Sequence, residues 1–314
     1  MHGESVLILG AGPIGVAFAA AFAPYGPVTV VEPDADRRAS VPARLDQARA
    51  AMLLAGRRTG GDVRVQVAPA QAAGATLVLE CGPEHLDTKR AMLRTALALP
   101  GQPVIATASS AIPLSRILPD AADQARALVA HPVNPPSVLR LIELVPAPGT
   151  LPATMDRAAA LFTTAGFCPV RLGHEVEGFV LNRLQGAVLR EAYRLVDDGV
   201  IGPQDLDLVM TEGLGPRWSL SGPFETADLN TAGGIAAHAT RMGPAYARMG
   251  AERGEPPTPW SPELVARVAA TRRAILSLDA LPARAAWRAR AVAQIIALRD
   301  RLLADAPTEP DTNP

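Results

Sequence analysis

Short apolar runs alternate with helical patterns along the first half of the chain. Five runs are typical of buried strands, namely residues 5–9, 28–31, 63–67, 76–80 and 103–107, and a helical pattern over 84–98 lies between the last two. Because strands that alternate with helices build βαβ units, this pattern predicts an α/β fold with a mainly parallel, Rossmann-type sheet. A last strand over 168–172 is expected to complete this half.

After Gly178 the pattern changes to long helices. Apolar residues recur at helical spacing from Val180 to Leu195, and Gly199 follows where such a helix would end. Further helical patterns occupy 203–213, 262–278 and 283–305. We therefore predict an α/β domain over 1–175, an all-helical domain over 176–305 and a disordered tail over 306–314.

The composition restricts the classes of partner. The chain has 314 residues, 48% hydrophobic and 19% charged, which suffices for a buried core. Its formal net charge is −1 without a basic cluster, so we expect neither a nucleic-acid nor a membrane partner. Cys81 and Cys168 lack metal-ligand spacing, so we expect free thiols and no metal. Free thiols and an N-terminus without the pattern of a secretion signal predict a cytoplasmic protein.

The first strand leads directly into a glycine-rich turn. Gly10, Gly12 and Gly15 form the pattern G-x-G-x-x-G, and Pro13 and Ile14 open the helical stretch that follows. The first glycine permits a tight turn, the second lets the backbone approach a pyrophosphate, and the third lets helix and strand pack closely. A pyrophosphate there would meet the N–H groups at the helix N-terminus. The turn therefore predicts a dinucleotide site.

An acid ends the second strand. Glu32 follows Gly15 by 17 residues. From this position a carboxylate accepts hydrogen bonds from the adenosine ribose and repels a 2′-phosphate, which favours NAD over NADP. Arg37 and Arg38 follow closely and keep NADP open as the alternative.

Further motifs fall after later strands, at the edge where an open α/β sheet binds its ligands. They are ECGPEHLDTK, TASSAIP, AHPVNPP followed by LIELV, and EGFVLNRL. Together with the glycine turn they resemble the 3-hydroxyacyl-CoA dehydrogenase superfamily. The motifs AHPVNPP, LVPAPGT, GFVLNRLQ, DLDLVMTEGLG and GPFETADLN are most similar to its lambda-crystallin branch, the L-gulonate 3-dehydrogenases. The resemblance extends from Val6 to about Asn230.

The resemblance implies catalytic roles for four residues. His131 is expected to be the general base that takes the proton of the substrate hydroxyl, since an imidazole titrates near neutral pH. Glu143 is expected to orient that imidazole, Ser110 to hydrogen-bond the reacting oxygen, and Asn182 to reach the substrate from the helical domain. The structural alternatives are a loop histidine, a strand carboxylate that faces solvent, a turn serine and a surface amide.

The resemblance implies binding roles for three more residues. Glu84 and Lys89, the only lysine of the chain, are expected to line the cofactor cleft. Arg217 is expected to meet a substrate carboxylate or a neighbouring subunit, because a guanidinium pairs with a carboxylate through two hydrogen bonds. The alternatives are solvated helix residues for the first two and a structural salt bridge for Arg217.

These features predict an NAD-dependent dehydrogenase that oxidises the 3-hydroxyl of a small hydroxy acid, with L-gulonate as leading substrate. The resemblance also implies a homodimer through the helical domain. A 3-hydroxyacyl-CoA or carnitine dehydrogenase is the nearest alternative. The segment between Glu32 and Val63 is shorter than the arm that acyl-CoA members place near CoA, which favours a small free acid. A non-catalytic NAD(H)-binding structural protein is an alternative from a different class.

Overall fold

The computed structural model describes residues 4–69, 74–219, 222–229, 234–254 and 280–304, and the single residues 263, 274 and 277. The helix predicted over 262–278, apart from those single residues, and the tail predicted over 306–314 lie outside the described residues.

Within the described ranges, eight strands form one sheet in the order β3-β2-β1-β4-β5-β6-β7-β8. Neighbouring strands are parallel except β6 and β7, which are antiparallel, so the predicted mainly parallel sheet is confirmed. The strands are β1 (Val6–Leu9), β2 (Val28–Val31), β3 (Val63–Gln66), β4 (Leu77–Glu80), β5 (Val104–Thr107), β6 (Ala127–Pro132), β7 (Leu141–Pro146) and β8 (Cys168–Arg171).

The helices that accompany the sheet are α1 (Pro13–Phe22), α2 (Ala35–Leu54), α3 (Leu86–Leu97), α4 (Leu114–Ile117), α5 (Ala121–Gln124) and α6 (Pro152–Thr164). Those that follow it are α7 (Leu181–Asp197), α8 (Pro203–Leu208), α9 (Gly215–Trp218), α10 (Pro223–Leu229), α11 (Gly234–Glu252) and α12 (Leu281–Ala304). The region predicted as one helix over 203–213 is α8 continued by a π-helical turn, Val209–Leu214, rather than uniform α-helix.

Helices cover both faces of the sheet. On one face, α1 and α6 contribute Phe18, Phe22 and Phe162, whose ring centroids lie 5.5–6.3 Å apart. On the other face, α3 and α4 contribute Leu93 and Leu114. Strands β1, β4 and β5 are buried at every position and apolar up to their last residue, which is why continuous apolar runs predicted them.

The antiparallel pair β6–β7 is a hairpin that the apolar pattern alone does not reveal. Its register places His131 directly opposite Glu143. Residues directly opposite in an antiparallel pair point to the same face with their Cβ atoms about 5 Å apart. The register therefore brings together two side chains that are separated by 12 residues in the chain.

A buried arginine fixes the connection between the two strands. The Arg57 guanidinium donates to the carbonyl oxygens of Pro136 at 2.6 Å, Ser137 at 3.2 Å and Ala165 at 3.1 Å. It also lies 4.7 Å from the centroid of the Phe167 ring. Burial lowers the pKa of Arg57 to about 10, so the guanidinium stays charged at neutral pH. Arg57 therefore satisfies carbonyl groups that would otherwise be buried without donors.

Contacts divide the described residues into two units. Unit 1 holds those up to Leu184 together with Ala286–Ala297, and unit 2 holds those from Gln185 to Ala285 and from Leu298 onward. Unit 1 thus includes the first turn of α7 and part of α12, whereas the boundary predicted after residue 175 assigns both to the helical domain.

Part of α12 packs on the sheet unit. Ala293 and Ile296 are buried in a cluster with Ala55 and Val138. Val138 belongs to the connection between β6 and β7, so α12 and Arg57 fix the same connection.

The described part of the chain offers no helix long and apolar enough to cross a membrane. Among the same residues, no group of three or more His, Cys, Asp or Glu side chains is arranged to hold a metal ion. Cys81 is buried and Cys168 exposed, and both are free thiols.

Replacing Arg57 by methionine should destabilise the protein. Arg57→Met removes the donors of three buried carbonyl groups, and we expect the free energy of unfolding to fall by roughly 3 kcal/mol. Urea denaturation measures it. Arg58→Met, at the exposed neighbouring position, is the matched control and should change stability little. An equal fall in the free energy of unfolding in Arg57→Met and Arg58→Met would contradict the role given to Arg57.

Candidate active site

The glycine turn joins the end of β1 to the start of α1. Gly10 has φ +102°, and a Cβ there would lie 2.9 Å from the carbonyl oxygen of Cys81. A Cβ on Gly15 would lie 2.1 Å from the carbonyl oxygen of Gly10, so only glycine lets α1 pack this closely. Gly12 precedes α1 with extended backbone and no capping side chain, so the first N–H groups of the helix stay accessible to an anion.

A cavity of about 950 Å³ opens on this turn. Its walls include the backbone of residues 10–14, Glu32, and the apolar residues Val67 and Met92. Such a cavity offers N–H groups for phosphates and apolar surface for an adenine ring, which fits a bound dinucleotide. Of the residues predicted to bind the cofactor, Gly10, Gly12, Pro13, Ile14 and Glu32 line this cavity, and Gly15, Glu84 and Lys89 do not.

Glu32 also organises the glycine turn. Its Oε2 accepts from the Ala11 N–H at 2.9 Å and its Oε1 from the Asp34 N–H at 3.1 Å. Each carboxylate oxygen has two lone pairs, so these bonds leave acceptor capacity for a ribose hydroxyl. Arg38 donates to the carbonyl oxygens of Glu32 and Pro33, which directs its guanidinium to the backbone.

His131 and Glu143 form a hydrogen-bonded pair at the end of β6. The distance from His131 Nδ1 to Glu143 Oε2 is 2.8 Å, and both side chains are buried. A carboxylate only accepts, so Nδ1 is the donor of this bond, and in a neutral imidazole of that tautomer the lone pair is on Nε2. The predicted association of the two residues is thus present in the structure, and its catalytic use is a matter of proposal.

Glu143 also holds the beginning of α7. Its Oε1 accepts from the backbone N–H groups of Val180 and Leu181, each at 2.9 Å. Burial raises the pKa of Glu143, but the hydrogen bonds from His131, Leu181 and Val180 outweigh it and lower the pKa below 4.5. Glu143 is therefore ionised at neutral pH, and its contribution to stability is lost only as the pH falls through that lowered value.

Asn182 lies in the first turn of α7 and contacts the predicted serine. Its Nδ2 donates to the carbonyl oxygen of Ser110 at 2.8 Å. Asn182 and Ser110 both belong to unit 1, so this contact does not depend on how the two units are arranged. Hydrogen bonds thus join His131 to Glu143 and Asn182 to Ser110, and the two pairs are connected through the start of α7, whose N–H groups bind Glu143.

Glu84 supports the loop that carries Ser110, which comprises residues 108–113 between β5 and α4. Its Oε1 accepts from the hydroxyl of Ser109 at 2.7 Å and from the N–H groups of Ser110 at 3.0 Å and Ala111 at 3.1 Å. Burial raises the pKa of Glu84, but the Ser109 hydrogen bond and the charge of Lys89 outweigh it and lower the pKa.

Lys89 differs from the expectation that it lines the cleft. Its side chain is 1% exposed, and its ammonium lies 3.1 Å from Glu80 Oε2 and 3.2 Å from Glu84 Oε2. A buried ammonium needs such partners because desolvation is costly. The structure therefore places Lys89 beneath the loop of Ser110, not on a cavity wall.

Two residues next to the site, Phe179 and Glu80, were not predicted from the sequence. Phe179 is fully buried, its ring centroid lies 5.3 Å from that of His131, and its φ of +50° is unusual for a bulky residue. Glu80 is fully buried and binds Lys89. In the sequence Phe179 resembles a core residue of a helix, and Glu80 resembles the last residue of a strand. The signal that could have identified Glu80 is an acid at the end of an otherwise apolar run.

Arg217 lies in unit 2, where its Nε donates to the carbonyl oxygen of Gly213 at 3.2 Å. It is exposed. A contact with a substrate carboxylate remains a prediction.

A side chain on Gly12 should abolish dinucleotide binding without unfolding the protein. A Cβ at Gly12 meets only the Cys81 carbonyl oxygen, at 3.7 Å, so Gly12→Val fits the backbone but intrudes where a pyrophosphate would approach α1. We expect NADH affinity, measured by fluorescence titration, to fall at least about 30-fold with the melting temperature nearly unchanged. Gly173→Val, at a position with open space around it, is the control. Retained affinity in Gly12→Val would contradict this site.

Comparison with known proteins agrees with this geometry. The profile described as 3-hydroxyacyl-CoA dehydrogenase, NAD binding domain, matches residues 5–176, and that of the C-terminal domain matches residues 178–274. Lambda-crystallin homolog from Bos taurus is 48% identical over 177 residues, which are 56% of this chain and 55% of that protein. L-carnitine dehydrogenase from Streptomyces griseus is 36% identical over 239 residues, 74% of this chain and 66% of that protein.

A solved structure matches nearly the whole chain. It is that of 5-formyl-3-hydroxy-2-methylpyridine 4-carboxylic acid 5-dehydrogenase, an NAD⁺-dependent dismutase, with a TM-score of 0.81 and 27% identity over 97% of this chain and 99% of that one. The match with the lambda-crystallin homolog, by contrast, spans only about half the length of that protein. The two profiles together match residues 5–274 apart from residue 177, which include the sheet and helices α7 to α11 but not α12. The chain therefore belongs to the 3-hydroxyacyl-CoA dehydrogenase family and carries its NAD-binding domain.

Proposed function

We propose that this protein is an NAD-dependent dehydrogenase that oxidises the 3-hydroxyl group of a small hydroxy acid to the 3-keto acid. The observation that carries the proposal is the buried pair of His131 and Glu143, joined at 2.8 Å. β1 and β6 point the same way in the sheet, so His131 and the glycine turn lie at the same edge. This edge is where open α/β sheets bind their ligands.

His131 acts as the general base in this proposal. With Nδ1–H donated to Glu143, its Nε2 accepts the hydroxyl proton, and the electron pair of the broken O–H bond forms the new carbonyl bond. The glycine turn and Glu32 would hold NAD⁺, which would supply the acceptor for the hydride that leaves the hydroxyl-bearing carbon. Glu143 stabilises the imidazolium that results, because the two charges are adjacent in a site shielded from water.

The substrate hydroxyl is oriented by the loop of Ser110. The Ser110 hydroxyl donates to the reacting oxygen, and the amide of Asn182 supports the loop through the Ser110 carbonyl. The loop is further held by Glu84. Positioning of this kind contributes to catalysis because it removes the entropy cost of finding the reactive geometry.

A free acid fits the chain better than a CoA thioester. α2 ends at Leu54 and β3 begins at Val63, so the described residues between them contain no additional helical arm for a long substrate. L-gulonate is the proposed substrate on the resemblance to the L-gulonate 3-dehydrogenase branch. Arg217 is proposed to meet its carboxylate.

Replacing His131 should remove turnover but not cofactor binding. Because general-base catalysis supplies about 10²–10⁴-fold, His131→Gln should lower kcat by that factor. NADH affinity should change little. His174→Gln, at an exposed histidine, is the matched control. Unchanged turnover in His131→Gln would contradict the assignment of the base.

A substrate panel separates the alternatives. NADH formation is measured with L-gulonate, 3-hydroxybutyrate, carnitine and 3-hydroxybutyryl-CoA, and we expect the highest kcat/KM with L-gulonate. A higher kcat/KM with carnitine or with 3-hydroxybutyryl-CoA would reject L-gulonate as the substrate but would still support NAD-dependent oxidation of a 3-hydroxyl group. Tight NADH binding without turnover on any of them would favour the non-catalytic structural alternative.

We also propose that the protein is a homodimer through its helical region. α7 is amphipathic and has no buried residue, and its apolar residues Leu184, Val188 and Leu189 are exposed. A stripe of exposed apolar side chains along a helix is typical of a protein–protein interface.

Sedimentation analysis tests the dimer. Leu189→Arg should give a monomer, because it puts a charge into the apolar stripe. Leu53→Arg, on the exposed surface of α2, should leave the wild-type state unchanged. A monomeric wild-type protein would refute the proposal.

A further inference from the structure

The pair of Glu80 and Lys89 lies behind the proposed site and has no part in the proposed reaction. Glu80 is fully buried at the end of β4, and its Oε2 lies 3.1 Å from the Lys89 ammonium. Its Oε1 accepts from the Gly82 N–H at 2.7 Å, and its Oε2 accepts from the Thr107 hydroxyl at 2.5 Å. Glu80 thus ties the end of β4 to α3 and to the end of β5.

Lys89 connects this buried pair to a second carboxylate. Its ammonium lies 3.2 Å from Glu84 Oε2. One cation between two carboxylates leaves the group with an excess negative charge, which the protein must satisfy with donors. Gly82 and Thr107 supply the donors for Glu80, and the loop that follows β5 supplies those for Glu84.

The loop forms a nest of N–H groups around Glu84. The backbone N–H groups of Ser110, Ala111 and Ile112 all point to Glu84 Oε1, at 3.0, 3.1 and 3.4 Å. Successive N–H groups that converge in this way form an anion site. Because Glu84 fills the site, the shape of the loop depends on where its carboxylate is held.

We propose that Glu80 and Lys89 are positioning residues, which fix the Glu84 carboxylate and thereby present Ser110 to the reacting oxygen. The proposal rests on the proposed function for the role of Ser110. Thr107 belongs to the same device, since its hydroxyl accepts from the Ser109 N–H at 3.2 Å while donating to Glu80. Neither Glu80 nor Lys89 reaches the surface, so they act through the loop and not by contact with a ligand.

Amide hydrogen exchange of the 107–113 segment tests the positioning without any need for turnover. In Glu80→Gln and Thr107→Val, the N–H groups of Ser110, Ala111 and Ile112 should exchange about tenfold faster or more than in the wild-type protein. Thr107→Ser, which keeps the hydroxyl, should restore wild-type exchange. Wild-type protection in both Glu80→Gln and Thr107→Val would overturn the proposal.

Kinetics then test the consequence for the reaction. Displacing Ser110 should lower kcat about 10- to 100-fold in Glu80→Gln and Thr107→Val, with NADH affinity and the KM for the hydroxy acid within about threefold. Thr107→Ser should recover most of kcat. Weaker NADH binding with unchanged kcat would overturn the proposal in favour of a direct cofactor contact. A wild-type protein that turns over no substrate would refute the proposed function, while the exchange measurement still decides the positioning.

A double variant avoids the misfolding that an unpaired buried charge can cause. Lys89→Met alone leaves two carboxylates next to each other, whereas Glu80→Gln combined with Lys89→Met removes the buried pair together. If the residues act as a unit, the loss of kcat in the double variant is no greater than in Glu80→Gln alone. A further loss of kcat in the double variant would contradict the claim that Glu80 and Lys89 act as a unit.

Discussion

A single carboxylate connects the proposed base to the helix that begins beside it. Glu143 accepts from the His131 ring through one oxygen and from the N–H groups of Val180 and Leu181 through the other. A buried charge is tolerated only when such partners replace water. The orientation of the imidazole and the start of α7 are thus set by the same ionised group, and a change in either would leave the carboxylate partly unsatisfied.

The connection continues to the Ser110 loop. Asn182 lies one position beyond the N–H groups that Glu143 holds, and it donates to the Ser110 carbonyl. Glu84 holds the same loop by accepting from the Ser110 N–H. The proposed catalytic side chains come from β6, β7, α7 and the loop after β5. Their relative positions are fixed by hydrogen bonds, of which those to Glu143 and Glu84 are charge-assisted and that of Asn182 to the Ser110 carbonyl is neutral.

Local patterns in the sequence predicted six of the eight strands, all except β6 and β7, and the glycine turn, because their causes are local. A strand buried on both faces is mostly apolar, and the positions of Gly10 and Gly15 leave no room for a Cβ. The pairing of His131 with Glu143 required the resemblance, because the hairpin register that brings them together is a property of the folded sheet.

Other features could not be predicted from local patterns. From the sequence, Lys89 is expected either on the exposed face of a helix or in the cofactor cleft. Only the folded structure shows that its ammonium lies between Glu80 and Glu84. The return of α12 to the sheet depends on the contact of Ala293 and Ile296 with residues far away in the chain. Long-range packing of this kind has no signature in spacing or composition.

The tautomer of His131 decides whether its ring can accept the substrate proton. Nitrogen-15 NMR of the imidazole rings distinguishes a protonated Nδ1 from a protonated Nε2, and the signal of His131 among the five histidines is identified by its loss in His131→Gln. The account predicts that the neutral ring carries its proton on Nδ1, hydrogen-bonded to Glu143, and that Glu143→Gln shifts this signal. A neutral ring protonated on Nε2 would contradict it, because the lone pair proposed to take the substrate proton would then be absent.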